Sequence, residues 1–78
     1  MKVVCDGRII GCNQRSGQNG DYYLISLVVD GEAYQLMANK DIYQVAKQLE
    51  FGEEKKVHLD LRRYGQDWGV RVTDLEDY

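Results

Sequence analysis

The chain has 78 residues, 44% of them apolar and 29% charged, with a formal net charge of −3. That length suits one domain and not two, and the apolar content argues against a disordered chain. The size is near the low end for a self-sufficient core, where roughly 60% of the unfolded surface becomes buried, and a homodimer sharing apolar surface would relieve the shortage.

The first segment, Lys2 to Gly11, carries the β-branched residues Val3, Val4, Ile9 and Ile10 and reads as a strand. Gly7 within it predicts a bulge or sharp bend. Met1-Lys2-Val3-Val4-Cys5-Asp6 meets a charge too early for a signal peptide. The two cysteines, Cys5 and Cys12, form neither C-x-x-C nor a zinc-spaced set. A secreted domain of this size usually carries several disulfides, so a reducing cytoplasm is expected. Residues 11–20 hold three glycines and two asparagines and read as a long polar loop, with Asn19-Gly20 as a turn pair.

The second strand, Asp21 to Asp30, alternates clearly. Tyr23, Ile25, Leu27 and Val29 are predicted to face the core, and Tyr22, Leu24, Ser26 and Val28 the other side. Its apolar run from Leu24 to Val29 is far too short to span a membrane. Asp30-Gly31 is a two-residue hairpin signal leading into a third strand, Glu32 to Ala38. A helix follows: Asn39 caps it, Asp41 suits its positive end, and Ile42, Val45, Ala46 and Leu49 form one apolar stripe. Gly52 is read as its C-terminal stop. The fourth strand places Val57, Leu59 and Leu61 inward and Lys56, His58, Asp60 and Arg62 outward. Tyr64-Gly65-Gln66-Asp67 is a turn, and Trp68 to Thr73 is the fifth strand. The last five residues hold three acids and read as a short frayed tail, residues 74–78, beyond a domain of residues 1–73.

The order β-β-β-α-β-β with hairpin links predicts a mainly β fold: a five-stranded antiparallel OB barrel with one helix between strands three and four. An SH3-like barrel has no full helix at that point, and a ferredoxin-like fold needs a second one.

Without the acids of the tail, residues 1–73 carry ten acidic and ten basic side chains, so a locally basic groove on a neutral body is feasible. Six of the eight aromatic residues are tyrosine, more than a pure core calls for, because a buried hydroxyl needs a partner. Tyr22 is the better stacking candidate and Tyr23 the core residue. Tyr34, sharing a face with Leu36, reads equally as core or ligand contact. Tyr64 beside Arg62 and Arg63 at a hairpin tip is the most suggestive cluster. Trp68 reads either as a wedge closing the barrel or as a contact. Arg8, Arg15 and Arg71 are candidate phosphate contacts, since arginine both pairs with phosphate and stacks on rings. His58 stands alone on an outward position, and no catalytic set, phosphate loop or metal triad can be built around it. Asp60 and Asp67 are a weak carboxylate pair. No catalytic residue, metal or cofactor is expected.

Three stretches, Ser16-Gly17-Gln18-Asn19-Gly20-Asp21-Tyr22-Tyr23, Arg62-Arg63-Tyr64-Gly65-Gln66-Asp67-Trp68-Gly69 and Asp74-Leu75-Glu76-Asp77-Tyr78, resemble the small OB-fold single-stranded DNA-binding proteins of phages and mobile elements. The resemblance implies a ligand across strands two and three, flanked by the first loop and the last hairpin. It implies that Asp74, Glu76, Asp77 and Tyr78 compete for the basic groove or recruit replication proteins. The chain departs from that family in its acidic overall charge. The residues alone leave open RNA in place of DNA, and a protein-interaction or structural barrel in place of a nucleic-acid binder.

Overall fold

A computed structural model describes all 78 residues. Five strands and one helix follow in the order β1 (Lys2–Gly17), β2 (Gly20–Val29), β3 (Glu32–Ala38), α1 (Lys40–Lys47), β4 (Glu53–Tyr64) and β5 (Asp67–Glu76). The strands close into one barrel in the order β1-β2-β3-β5-β4, with the helix between β3 and β4. The arrangement is compatible with an OB-like fold. No helix is long and apolar enough to cross a membrane.

The barrel is not wholly antiparallel, contrary to the expectation from its hairpin links. β3 and β5 run parallel where Met37 meets Arg71 and Ala38 meets Val72. The other four neighbouring pairs are antiparallel. The reason is topological. Directions cannot alternate all the way round a ring with an odd number of strands, so a closed five-stranded barrel contains at least one parallel pair.

β1 does the wrapping. Its residues 2–9 pair with β4 and its residues 8–17 with β2, and the register slips between Ile9 and Gly11. The bulge thus falls at Ile10 and not at Gly7. Gly7 instead makes room for the core. A Cβ there would lie 3.0 Å from Val57 Cγ2 and 3.4 Å from Leu27 Cδ1. The missing side chain lets β1 press inward.

Residues 11–20 are not a loop. They continue β1 through Gly17 and turn at once into β2, with Gly17 opposite Gly20. Most of this two-stranded arm is solvated on both faces, so no apolar alternation reveals it. Only Gly20 of the Asn19-Gly20 pair has a positive φ, at 108°. Asp30 and Gly31 both have positive φ, 52° and 79°, as a tight hairpin turn between twisted strands requires.

The core comprises Ile9, Ile25, Leu27, Ala38, Ile42, Ala46, Val57, Val72 and Leu75. Asn39 caps α1, its Oδ1 accepting from the Ile42 N–H at 2.9 Å. Only Ile42 and Ala46 of the predicted stripe are buried; Leu49 packs beside them and Val45 is exposed. Tyr43 meets Tyr23 with ring centroids 4.9 Å apart. β5 continues past Thr73 to Glu76 because a register slip opposite His58 and Leu59 resets its alternation and returns Leu75 to the core. Residues 74–76, expected as the start of a frayed tail, belong to the sheet.

Candidate functional site

The hairpin of β4 and β5 projects beyond the barrel and is solvated on both sides. Strand alternation sorts its side chains onto two faces. The register sets Asp60 opposite Arg71, Arg62 opposite Gly69 and Tyr64 opposite Asp67 on one face. Leu61 opposite Val70 and Arg63 opposite Trp68 occupy the other. The sequence cluster Arg62, Arg63, Tyr64 and Trp68 is therefore divided. Trp68 is 57% exposed and does not close the barrel; its parity matches Val70 and Val72, but the hairpin has outrun the core at that point.

The first face forms a shallow groove of about 450 Å³ between Met37, Asp60, Arg62, Tyr64, Gly69 and Arg71. Tyr64 leans on the backbone of Gly69, diagonally across the strands. A Cβ on Gly69 would fall 2.6 Å from Tyr64 Cε2, so the ring occupies space that only glycine leaves free. Tyr64 is nevertheless 64% exposed as a residue. The Arg62 guanidinium donates from Nε to Asp60 Oδ2 at 2.8 Å. This bond, helped by the positive N-terminus and Lys2, holds the Asp60 carboxyl below the usual carboxylate range. Arg71 makes no ion pair. The groove thus presents one free guanidinium, one guanidinium braced by a carboxylate, and an open aromatic ring.

The arm of β1 and β2 repeats the device. Tyr22 lies diagonally against Gly17, where a Cβ would sit 3.3 Å from Tyr22 Cε1, and Arg15 stands directly opposite Tyr22. Arg15 makes no ion pair either. Gln14 Nε2 and Ser16 Oγ both donate to Asp21, each at 3.0 Å, and brace the arm's end. Between the two hairpins lies the outer face of β2 and β3, with Leu24 beside Met37 and Ser26 beside Gln35.

Other predicted residues lie elsewhere. Arg8 is bound to Glu54 at 2.7 Å, next to Asp6 and Asp30, and does not join the groove. Tyr34 sits on the first half of β3 and donates its hydroxyl to Glu32 at 2.7 Å, which raises its pKa. Arg63 Nε donates to the Gly65 carbonyl at 2.9 Å, fixing that guanidinium to the turn. Asp60 and Asp67 do not meet, because their register partners are Arg71 and Tyr64.

The acidic end is engaged. Glu76 pairs with His58 at 2.9 Å, Asp77 with Lys55, and the Tyr78 hydroxyl donates to Asp6. These contacts lie along the first half of β4 and on β1, away from Arg62 and Arg71. Sequence reasoning misses Met37 and Gly69, and Asp60 as a brace for Arg62. The signal for Gly69 is its place two residues beyond Asp67 in a hairpin whose opposite strand ends in an aromatic residue, a diagonal that needs the register to be known. No family model matches the chain, and no curated protein matches it.

Proposed function

We propose that the protein is a non-catalytic binder of single-stranded DNA. Bases stack on Tyr64 and Tyr22, and phosphates pair with Arg71, Arg62 and Arg15. The single observation that carries this reading is Tyr64 set against Gly69 with its ring open between Arg62 and Arg71. A single strand needs flat, sequence-tolerant platforms and cations along its backbone, and stacking contributes about 1–3 kcal/mol per base. Strand spacing and rise put Tyr22 and Gly69 roughly 16 Å apart across β2, β3 and β5, a span that an extended polymer covers. The resemblance to small OB-fold single-stranded DNA-binding proteins implies a role in replication or transfer of phage or mobile-element DNA. The acidic end stays outside this proposal, because Glu76, Asp77 and Tyr78 already have partners within the fold.

The net charge of −3 favours the competing role, a barrel that binds another protein. Titration of the chain with fluorescent oligothymidine at two salt concentrations separates the two. A nucleic-acid binder weakens steeply as salt rises, because each phosphate contact releases counterions. Absence of binding at low salt would remove the proposal. Parallel titration with oligouridine tests RNA, where a local contact to the 2′-hydroxyl decides.

A further inference from the structure

An apolar hollow of about 320 Å³ lies between α1 and the bulge of β1, apart from the groove of the last hairpin. Ile9 and Ala46, both core residues, and the half-buried Ile10, Cys12, Tyr43 and Leu49 line it. It is thus an outward extension of the core that no element of the chain covers. Phe51 borders it and is 84% exposed, the most exposed large apolar residue of the chain. Its backbone is nevertheless fixed. The Glu53 N–H donates to the Glu50 carbonyl at 3.1 Å and closes a tight turn around Phe51 and Gly52. The Gly52 N–H donates to the Ile9 carbonyl at 2.8 Å and ties that turn to β1. Such a turn makes no demand for an aromatic residue at its second position. The chain therefore holds an uncovered ring in place beside an uncovered hollow.

The rim of the hollow carries two charges, Lys47 in the last turn of α1 and Glu50 in the tight turn. Neither makes an ion pair. The Lys47 ammonium lies over the Tyr43 ring, 5.4 Å from its centroid. One unpaired base and one unpaired acid select among occupants. A nucleic-acid strand gains from Lys47 and is repelled by Glu50. A second copy of the chain satisfies both. In an isologous contact residue i meets j and j meets i, so a twofold axis passing between Lys47 and Glu50 sets each opposite its counter-charge in the other copy, twice. The same rotation carries Phe51, which adjoins Glu50, toward the Lys47 side of the second copy's hollow, where Tyr43 stands.

We propose that two copies of this chain associate through these faces, each seating Phe51 in the hollow of the other, with Lys47 and Glu50 paired across the rim. Only ten of the 78 residues are buried in the single chain, so shared apolar surface enlarges a scant core. One ring and one hollow per copy make a small contact, so the dimer is weak and depends on concentration. It uses none of the residues assigned to DNA, and either proposal can fail without the other.

Sedimentation equilibrium from low micromolar to near-millimolar protein, without nucleic acid, tests it. The wild-type chain is expected to pass from monomer to dimer. Phe51→Ala is expected to weaken the dimer about tenfold or more, as loss of an aromatic anchor does, and to leave the melting temperature of the dilute monomer unchanged. Lys47→Glu and Glu50→Lys each set like charges opposite one another and are expected to weaken it severalfold. The double variant K47E/E50K restores opposite charges and recovers dimerisation, which a general loss of folding would not do. In a Cys5→Ser background, alkylation of Cys12 is expected to slow as the dimer forms, because that thiol lines the covered hollow. A wild-type chain that stays monomeric throughout, a dimer indifferent to Phe51→Ala, a double variant that fails to recover, or a Cys12 that reacts equally fast in monomer and dimer each overturns the proposal. So does a Phe51→Ala chain that binds oligothymidine more weakly than wild type at dilutions where both are monomeric, since that result gives the face to nucleic acid.

Discussion

Tyr64 and Gly69 are fitted to each other: a single added methyl on the glycine would stand 2.6 Å from the ring's Cε2 atom. The ring lies on an exposed hairpin and is free to swing outward. Gly69→Ala is therefore expected to cost little stability, under about 1 kcal/mol, since the clash is relieved by an exposed side chain and not by the core. The ring then loses its seat. Oligonucleotide binding is expected to fall several-fold in Gly69→Ala. In the background of Tyr64→Ala the same change is expected to have no further effect. Thermal melts and titrations of the two single variants and the double variant check both halves.

The division of the hairpin into two faces predicts unequal roles for its aromatic residues. Tyr64→Ala is expected to weaken binding of oligothymidine by about 1–3 kcal/mol, the worth of one stacked base. Trp68→Ala, on the far face beside Arg63, is expected to change it by less. Arg71→Ala is expected to flatten the salt dependence by about 0.7 in the logarithmic slope, the value for one contact with a single strand. A titration series in which Trp68→Ala binds worse than Tyr64→Ala would place the ligand on the wrong face of this hairpin.

Much of the barrel is legible in the residues, and the gaps have physical reasons. Tyr23, Ile25, Leu27 and Val29 alternate on a strand with one buried face, so their direction follows from period two. Asp30-Gly31 and Asn39 declare a turn and a cap by backbone demands that few other residues meet. The arm beyond Gly11 is hidden because a strand solvated on both faces has no period to display. The run of β5 into Leu75 is hidden because the register slip shifts the apolar positions, from Val72 to Leu75, out of alternation. The parallel pair is derivable: five strands and closure require it. At the site, the tyrosine-rich composition and the two polar hairpins are visible in the residues. The seats on Gly17 and Gly69 are not, because a diagonal contact appears only once the register is fixed.

Gly7 is expected to be the least replaceable glycine for folding. A Cβ there meets Val57 and Leu27, both fully buried, and neither can move outward as Tyr64 can. Gly7→Ala is expected to lower stability by about 1–3 kcal/mol, the usual cost of overpacking a filled core. Urea unfolding checks this, and Gly11→Ala, with nothing within 4 Å of the added atom, supplies the contrast.

The C-terminal clasp gives a prediction at alkaline pH. The Tyr78 hydroxyl donates to Asp6, and ionising it would set a phenolate beside a carboxylate; its pKa is pushed up to about 12. A tyrosine in the unfolded chain ionises near 10. The folded state holds this proton more tightly, so the bond favours folding at every pH below about 10, and the benefit is lost as pH rises through about 12. Ultraviolet titration of the six tyrosines is expected to show a late component that Asp6→Asn moves down toward the ordinary range. The acid side of the same clasp runs the other way. The bond from His58 holds Glu76 below the usual carboxylate range, so this pair supports folding above about pH 4 and fades as pH falls through the lowered value. His58→Ala is expected to return Glu76 toward its ordinary range, read from its carboxyl carbon by NMR. The Asp6–Tyr78 bond should survive that change, because its partners lie on β1 and beyond the end of β5, not on β4. A Tyr78 signal that shifts with His58→Ala would mean that the clasp moves as one unit.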